Sequence, residues 1–414
     1  MIRNLGNRRI SPSPFLLRVI ALLSIIMLVC SCSQPKSAGT NLLSIVLDDV
    51  VAVLGLNPQP RDVGSIKKGY VALVHRDGSY EFVNTSGMAI QQITWNASGV
   101  FFADRKADYH IARNPKDSYK EASPKSEVQS QMLSLENNTV VGVYDRGFTV
   151  DAPNSLEVQW LTPQPQRIVS SQASPIQNVA QCPNGVFGVS LDSTTFGASD
   201  NYVLNSITPD MGVQKLAESN LSNKHFSVYY TFTGLPCIDN QMIMFASESS
   251  SGDFGDYNIL TLLAWDTKTH ELKHQRVLTS EGDELRFNNL DSVDLVCDRY
   301  SILTNGTLAA ANRIDGILYV IDIRTGVLLH EIAPPQRLQS QNGQYEIRFT
   351  ENYVYYILTP FGNADFPAKI FVYGKDNWTK LAEIELRGAL GDMVSYKSEL
   401  GLTGFAANPD MTWD

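Results

Sequence analysis

Long apolar stretches are scarce in this 414-residue chain: the longest uninterrupted one, Val19 through Cys32, has 14 residues, short of the roughly 20 that an ordinary membrane-spanning helix needs. Positive charge is also in deficit, with 33 Lys and Arg against 43 Asp and Glu. Four of those cations, Arg3, Arg8, Arg9 and Arg18, lie in the first 31 residues, which hold no acid; the remainder carries 29 against 43, a net −14. So acidic a surface repels nucleic acid and anionic headgroups, and no nucleic-acid partner is expected. Five cysteines are too few to staple a small disulfide scaffold of this length. The six histidines (His75, His110, His225, His270, His274, His330) are scattered. His270 and His274 are four apart, but they flank Glu271-Leu272-Lys273 inside an apparent hairpin and read as solvent-facing rather than as a metal pair. H-E-x-x-H, G-x-S-x-G, P-loop and G-x-G-x-x-G patterns are missing, so no metal, cofactor or catalytic residue is assigned. Asp48-Asp49 and the acids from Glu281 to Glu284 read as solvated faces, while a triad, being assembled in space, stays open.

What is present begins with a basic opening, the apolar run Val19 to Val29 and then Cys30-Ser31-Cys32. That is the order of n-region, h-region and small-residue cleavage site in an export signal. Arg8-Arg9 is followed by Ile10-Ser11-Pro12, which departs from the twin-arginine pattern, so general secretion is expected. Val29-Cys30-Ser31-Cys32 resembles the lipobox of bacterial lipoproteins. The resemblance implies cleavage before Cys32 and acylation of its sulfur by palmitate-type chains; an ordinary cleaved signal with two incidental cysteines is the alternative. Ser33 to Thr40 is polar and reads as a flexible tether. Next, Leu42, Ile45, Val46, Asp49, Val50, Val53 and Leu54 recur at helical spacing, with Asn41 as N-cap and Pro58 and Pro60 as the stop. The expected organisation is a signal peptide over 1–31, the lipidated cysteine, tether and short helix over 32–65, and a globular domain over 66–414. The lipid would hold it on the extracytoplasmic side of the cell membrane or outer membrane.

From about residue 66 the chain is a succession of short apolar, β-branched or aromatic runs broken by Asp, Gly, Asn, Ser and Pro, which predicts an all-β domain. One unit recurs: Tyr70–Val74 with Tyr80–Val83, Val100–Ala103 with Tyr109–Ala112, Val140–Val143 with Leu156–Leu161, Val186–Val189 with Tyr202–Ile207, Met242–Phe245 with Ile259–Trp265, Leu308–Ala311 with Ile317–Ile321, and Tyr353–Leu358 with Ile370–Tyr373. Seven units at a spacing near that of propeller blades predict a seven-bladed β-propeller; tandem β-sandwiches are the alternative. Val394-Ser395-Tyr396 or Leu402-Thr403-Gly404-Phe405 is expected to close the ring against a strand near residue 66. Lys116 to Gln131, rich in Ser, Lys and Glu, reads as a surface insertion.

Leu318-Tyr319-Val320-Ile321-Asp322-Ile323-Arg324-Thr325-Gly326-Val327-Leu328-Leu329-His330 resembles the repeat of quinoprotein-like and WD40-like bacterial propellers: an apolar strand, Asp, two residues, Thr-Gly and a second strand. A weaker echo runs from Leu263 to His270. The resemblance implies a tight turn, with Asp322 capping backbone N–H groups and Gly326 supplying a positive φ. His330 stands where the quinoprotein repeat has its docking tryptophan, so the resemblance implies the fold, without the quinone.

Three candidate features remain. With Cys30 removed and Cys32 acylated, Cys182, Cys237 and Cys297 are left; an exported chain permits a Cys182–Cys237 disulfide across a blade boundary, and three small buried hydrophobes are the alternative. Phe196-Gly197-Ala198-Ser199-Asp200, Phe254-Gly255-Asp256-Tyr257-Asn258 and Phe361-Gly362-Asn363-Ala364-Asp365 repeat in one loop of three units, with Gly147-Phe148-Thr149-Val150-Asp151 a degenerate copy. Phe196, Gly197, Asp200, Phe254, Gly255, Asn258, Phe361, Gly362 and Asp365 read either as an aromatic and acidic rim for an envelope protein or ligand, or as a shared turn. The expected function is a binding or scaffold module at the cell envelope; the alternative is a propeller hydrolase acting on glycans or peptides. Converging carboxylates or a His-acid pair in the central channel would favour the second.

Overall fold

Val50-Val51-Ala52-Val53-Leu54, buried at every position, shows how this chain folds: β-branched residues on both faces of a strand that is packed between two neighbouring sheets. The computed structural model describes residues 41–58, 68–125, 128–145, 155–161, 166–171, 175–191, 201–220, 226–229, 231, 233–249, 257–288, 293–303, 306–338, 342–361 and 366–413. The strands described there form seven antiparallel sheets, the blades of a β-propeller. Read from the axis outward, blade two is Ile93–Asn96, Gly99–Ala103, Ala107–Ala112 and Tyr119–Ala122. Blade three is Val128–Ser134, Val140–Asp145, Ser155–Trp160 and Gln166–Ser171, and blade four is Ile176–Cys182, Gly185–Leu191, Asn201–Thr208 and Gly212–Asn220. Blade five has Phe226–Val228 and Cys237–Ile238 innermost, then Gln241–Ser249, Tyr257–Asp266 and Leu272–Arg276, with Arg286–Asn288 beside Tyr257–Asp266. Blade six is Leu295–Val296, Thr307–Asn312, Leu318–Asp322 and Leu328–Ile332, and blade seven is Gly343–Phe349, Tyr353–Pro360, Lys369–Gly374 and Lys380–Glu385.

Blade one closes the ring. Its innermost strand, Leu400–Ala407, comes from the far end of the chain and pairs with Val50–Pro58, followed outward by Gly69–His75 and Tyr80–Thr85. Leu54 lies opposite Phe405 and Gly55 opposite Gly404. Gly404 is required there because a Cβ would run into the carbonyl of Gln91 in blade two. The seven paired units read from the sequence each fall in a separate blade, and the sandwich alternative does not describe the sheets seen.

Three sequence expectations need correction. Leu42 to Leu54 is not a helix but a 3-10 turn, Leu42–Ser44, capped by the Asn41 side chain, followed by the strand Val50–Pro58. Burial on both faces makes that strand apolar from Val50 to Leu56, and a continuous apolar run satisfies helical spacing by accident. The ring-closing partner is therefore this strand rather than one near residue 66, and the propeller takes in residues assigned to the 32–65 linker. Lys116 to Gln131 is not an insertion either: it supplies the outer strand Tyr119–Ala122 of blade two and the start of Val128–Ser134. Its polar composition reflects the exposed outer edge of a blade.

The Asp-x-x-Thr-Gly turn forms as the resemblance implied. Asp322 Oδ1 accepts the Thr325 N–H at 2.9 Å, and Gly326 has φ +70°. In the echo, Asp266 Oδ1 accepts from Lys268 and Thr269 at 2.8 and 2.9 Å. His270 takes the left-handed position with φ +64°. It and His274 are exposed on the hairpin of blade five.

Candidate functional site

Polar side chains on and beside the inner strands stitch neighbouring blades together at six of the seven boundaries around the axis. Asn57 of blade one donates to Gln91 Oε1 at 3.0 Å and accepts the Met88 N–H at 3.0 Å. Gln129 of blade three accepts the Gln92 N–H at 2.8 Å, and Gln131 donates to the Gln177 and Thr231 carbonyls at 2.7 Å each. Asn178 accepts the Thr231 N–H at 2.7 Å. Asp298 of blade six accepts the Phe349 N–H of blade seven at 3.1 Å, and Arg348 donates to the Phe405 carbonyl of blade one at 3.0 Å. These bonds satisfy buried polar groups that would otherwise destabilise the ring.

On the face that carries the turns between first and second strands, the channel opens into a basin of about 450 Å³. Every blade contributes to it: Asn96, Ser134, Gln181, Cys237, Arg299 and Glu351 come from blades two to seven, and Asp410 follows the inner strand of blade one. The basin is held rigidly. Cys182 and Cys237 form a disulfide between blades four and five; Cys297 is a buried free thiol whose pKa is pushed up by burial. The Glu136 N–H donates to Gln181 Oε1 at 2.9 Å, and Asn96 Nδ2 donates to Ser134 Oγ at 3.0 Å. Arg299 reaches from blade six across the axis to the Ser134 carbonyl of blade three. Its guanidinium also lies 4.5 Å from the Tyr300 ring, and Asp410 pairs with Arg113.

Behind Arg299 and Tyr300 lies a second, smaller cavity of about 60 Å³, lined by Trp95, Ser134, Thr233, Asp298, Arg348 and Phe405 among others. Burial pushes the Asp298 carboxyl up to about 6, although the Phe349 and Tyr300 amides favour its charged form. Lys375 donates to the Tyr300 carbonyl at 2.7 Å and the Thr350 carbonyl at 3.2 Å, and burial lowers its pKa. A separate, more apolar cleft of about 640 Å³ lies between blades five and six, lined by Ile243, Leu262, Ala264, Lys273, Ile323 and Arg324.

The sequence did not single out Asp298, Arg299, Arg348 or the amide stitches. Of the rim candidates, Phe196, Gly197, Asp200, Phe254, Gly255, Gly362 and Asp365 lie outside the described residues, as do Cys32, the signal segment and 147–151. Asn258 is the second residue of the third strand of blade five, opposite Ser249. Phe361 is half-buried with its ring 5.9 Å from that of Tyr396. A His-acid pair does exist, His75 Nδ1 to Asp49 Oδ1 at 2.8 Å and Nε2 to Glu81 Oε1 at 3.3 Å, but it belongs to the outer half of blade one. Glu284 joins Arg276 and Arg286 in an ion-pair cluster on blade five, so it is a partnered group where the sequence suggested a solvated face.

No protein-family model matches the chain, and no curated protein does. Among solved structures it is similar to apo AztD from Citrobacter koseri, at 12% identity and a TM-score of 0.42 over 87% of this chain and 98% of that one. It is also similar to a functionally unknown protein from Desulfotomaculum acetoxidans, at 11% and 0.49 over 86% and 99%. A third is the periplasmic gluconolactonase PpgL of Pseudomonas aeruginosa, at 11% and 0.42 over 81% and 84%. Such identities and scores lend nothing to the site or activity of this chain.

Proposed function

We propose that this chain is an exported lipoprotein, anchored through Cys32, whose propeller is a recognition module at the cell envelope and takes its ligand or partner in the turn-side basin of the channel. The observation that carries the reading is the basin itself. All seven blades contribute to its lining, so a bound group would touch the whole ring, and concave sites with a few fixed polar groups are the usual form of a ligand site. The Cys182–Cys237 disulfide supports an oxidising, extracytoplasmic setting. Asp298, the buried acid behind the basin, has both oxygens engaged by backbone amides, an arrangement that suits scaffolding better than proton transfer in hydrolysis.

The test is native mass spectrometry of the mature, detergent-purified protein after incubation with envelope extract. A retained mass that is lost in Gln181→Lys/Glu351→Lys, without new cleavage products in the extract, supports recognition. New products formed at catalytic rates, and abolished by Asp298→Asn, would instead establish the hydrolase.

A further inference from the structure

Arg348 is an anomaly in this channel. Its side chain is buried, 5% exposed, and its hydrogen bonds go to two backbone carbonyls, Phe405 at 3.0 Å and Ile347 at 2.8 Å. Among the described residues it makes no ion pair with a carboxylate. Asp298 lines the same 60 Å³ cavity, yet its Oδ1 is taken by the Tyr300 N–H at 2.8 Å and its Oδ2 by the Phe349 N–H at 3.1 Å. A buried guanidinium without its own anion is costly and is ordinarily paired. Two further cavity-lining residues carry unpartnered polar groups: the Trp95 indole N–H and the Thr233 hydroxyl are buried and find no hydrogen-bond partner among the described residues. Arg299, shared with the outer basin, brings a second guanidinium, and Lys375 holds an ammonium on the carbonyls of two lining residues, Tyr300 and Thr350. Arg348, Arg299 and Lys375 thus stand around the amide-bound Asp298, while Glu346 acts on Arg348, and Glu351 and Asp376 on Lys375, without a direct ion pair among the described residues.

We infer that this inner cavity is a carboxylate site: it takes the carboxylate of a ligand whose remainder fills the outer basin. The size fits, since the space accommodates a few waters or one carboxylate group. The chemistry fits as well, because a guanidinium fork with an N–H and an O–H nearby is what recognises a planar oxyanion. The two cavities are neighbours, with Ser134, Arg299, Tyr300 and Pro409 lining both. The outer basin carries acids as well, Glu136, Glu351 and Asp410, so the carboxylate end of a ligand is directed inward past them. The inference rests on the basin being the recognition site, and the two fail separately: a basin that captures a ligand of other chemistry leaves the proposed function standing and removes only this step.

The test follows the Trp95 indole ¹⁵N–¹H resonance in the mature protein, assigned with Trp95→Phe, during titration at constant ionic strength with acetate, acetamide, triglycine and triglycine amide. Acetate and triglycine should shift it saturably, and acetamide and triglycine amide should not. Thr233→Val removes a hydroxyl that has no partner, so it should leave folding intact and weaken acetate binding about five- to tenfold, and Arg348→Met should abolish binding. Because Arg348→Met also removes two bonds to carbonyls, Thr233→Val and the neutral amides keep the test decisive if that variant fails to fold. Equal shifts with the amides, no saturable shift with either acid, saturable binding of sulfate alone, or unchanged acetate affinity in Thr233→Val would each overturn the assignment.

Discussion

The backbone N–H of Phe349, on the inner strand of blade seven, donates to Oδ2 of Asp298 in blade six at 3.1 Å, while Oδ1 of the same carboxylate caps the turn that begins at Arg299. One buried side chain thus fixes the turn that carries Arg299 and Tyr300 and ties two blades together at the floor of the basin. Asp298→Ala leaves both amides unpaired, and at about 1 to 3 kcal/mol for each unsatisfied buried donor it should destabilise the protein by roughly 2 to 6 kcal/mol in denaturant unfolding.

The same residue sets a pH dependence. Burial raises the Asp298 pKa in the folded state from the ordinary aspartate range to about 6, so the folded state binds its proton more tightly than the unfolded state does. The associated stability is complete below the unfolded value and is lost as pH rises through about 6. Measured against Asp298→Asn, which cannot titrate, the wild-type protein should lose stability between about pH 4 and pH 7. Parallel stability curves for the two proteins would refute the account of this carboxyl.

The disulfide between Cys182 and Cys237 spans 55 residues of sequence. Constraining a loop of that length in the unfolded chain stabilises by roughly 2 to 4 kcal/mol. Cys182→Ser/Cys237→Ser should therefore shift the denaturant midpoint downward and steepen the slope, because the unfolded chain becomes more expanded. The wild-type protein, alkylated without reduction, should label at Cys297 only after unfolding.

Ring closure depends on the last strand. Deleting 400–414 removes the inner strand of blade one and exposes the edge of Val50–Pro58, so the truncated protein should lose cooperative melting by circular dichroism. Gly404→Ala, which forces a Cβ against the Gln91 carbonyl, should cost about 1 to 3 kcal/mol by the same close packing.

The anchor has its own test. Cys32→Ala should abolish metabolic labelling by palmitate, and Cys30→Ala should not; labelling that survives the Cys32 change would refute the assignment.

The outer parts of the blades were legible in the sequence because they alternate and turn by local rules: Asp322 and Gly326, or the Tyr353–Leu358 and Ile370–Tyr373 pair, announce themselves within a dozen residues. The channel was not. Its strands shrink to Cys237–Ile238 and Leu295–Val296 in blades five and six, and elsewhere they mix buried polar residues such as Gln131, Asn178 and Arg348 with apolar ones, which erases the strand pattern. The one local clue was Asp298-Arg299-Tyr300-Ser301, an Asp capping signal directly after an apolar pair. Val50–Pro58 failed for the opposite reason, being apolar on both faces.

The central claim, that recognition takes place in the turn-side basin, is tested most directly by photo-crosslinking in intact cells. A photoreactive amino acid placed at Asn138, which lines the basin, is compared with one at Lys273, which lines the cleft between blades five and six and shares no lining residue with the basin. The account expects a discrete adduct from Asn138 that disappears with Gln181→Lys/Glu351→Lys, and none from Lys273. Adducts of equal yield from both positions, or an Asn138 adduct indifferent to the charge changes, would contradict it.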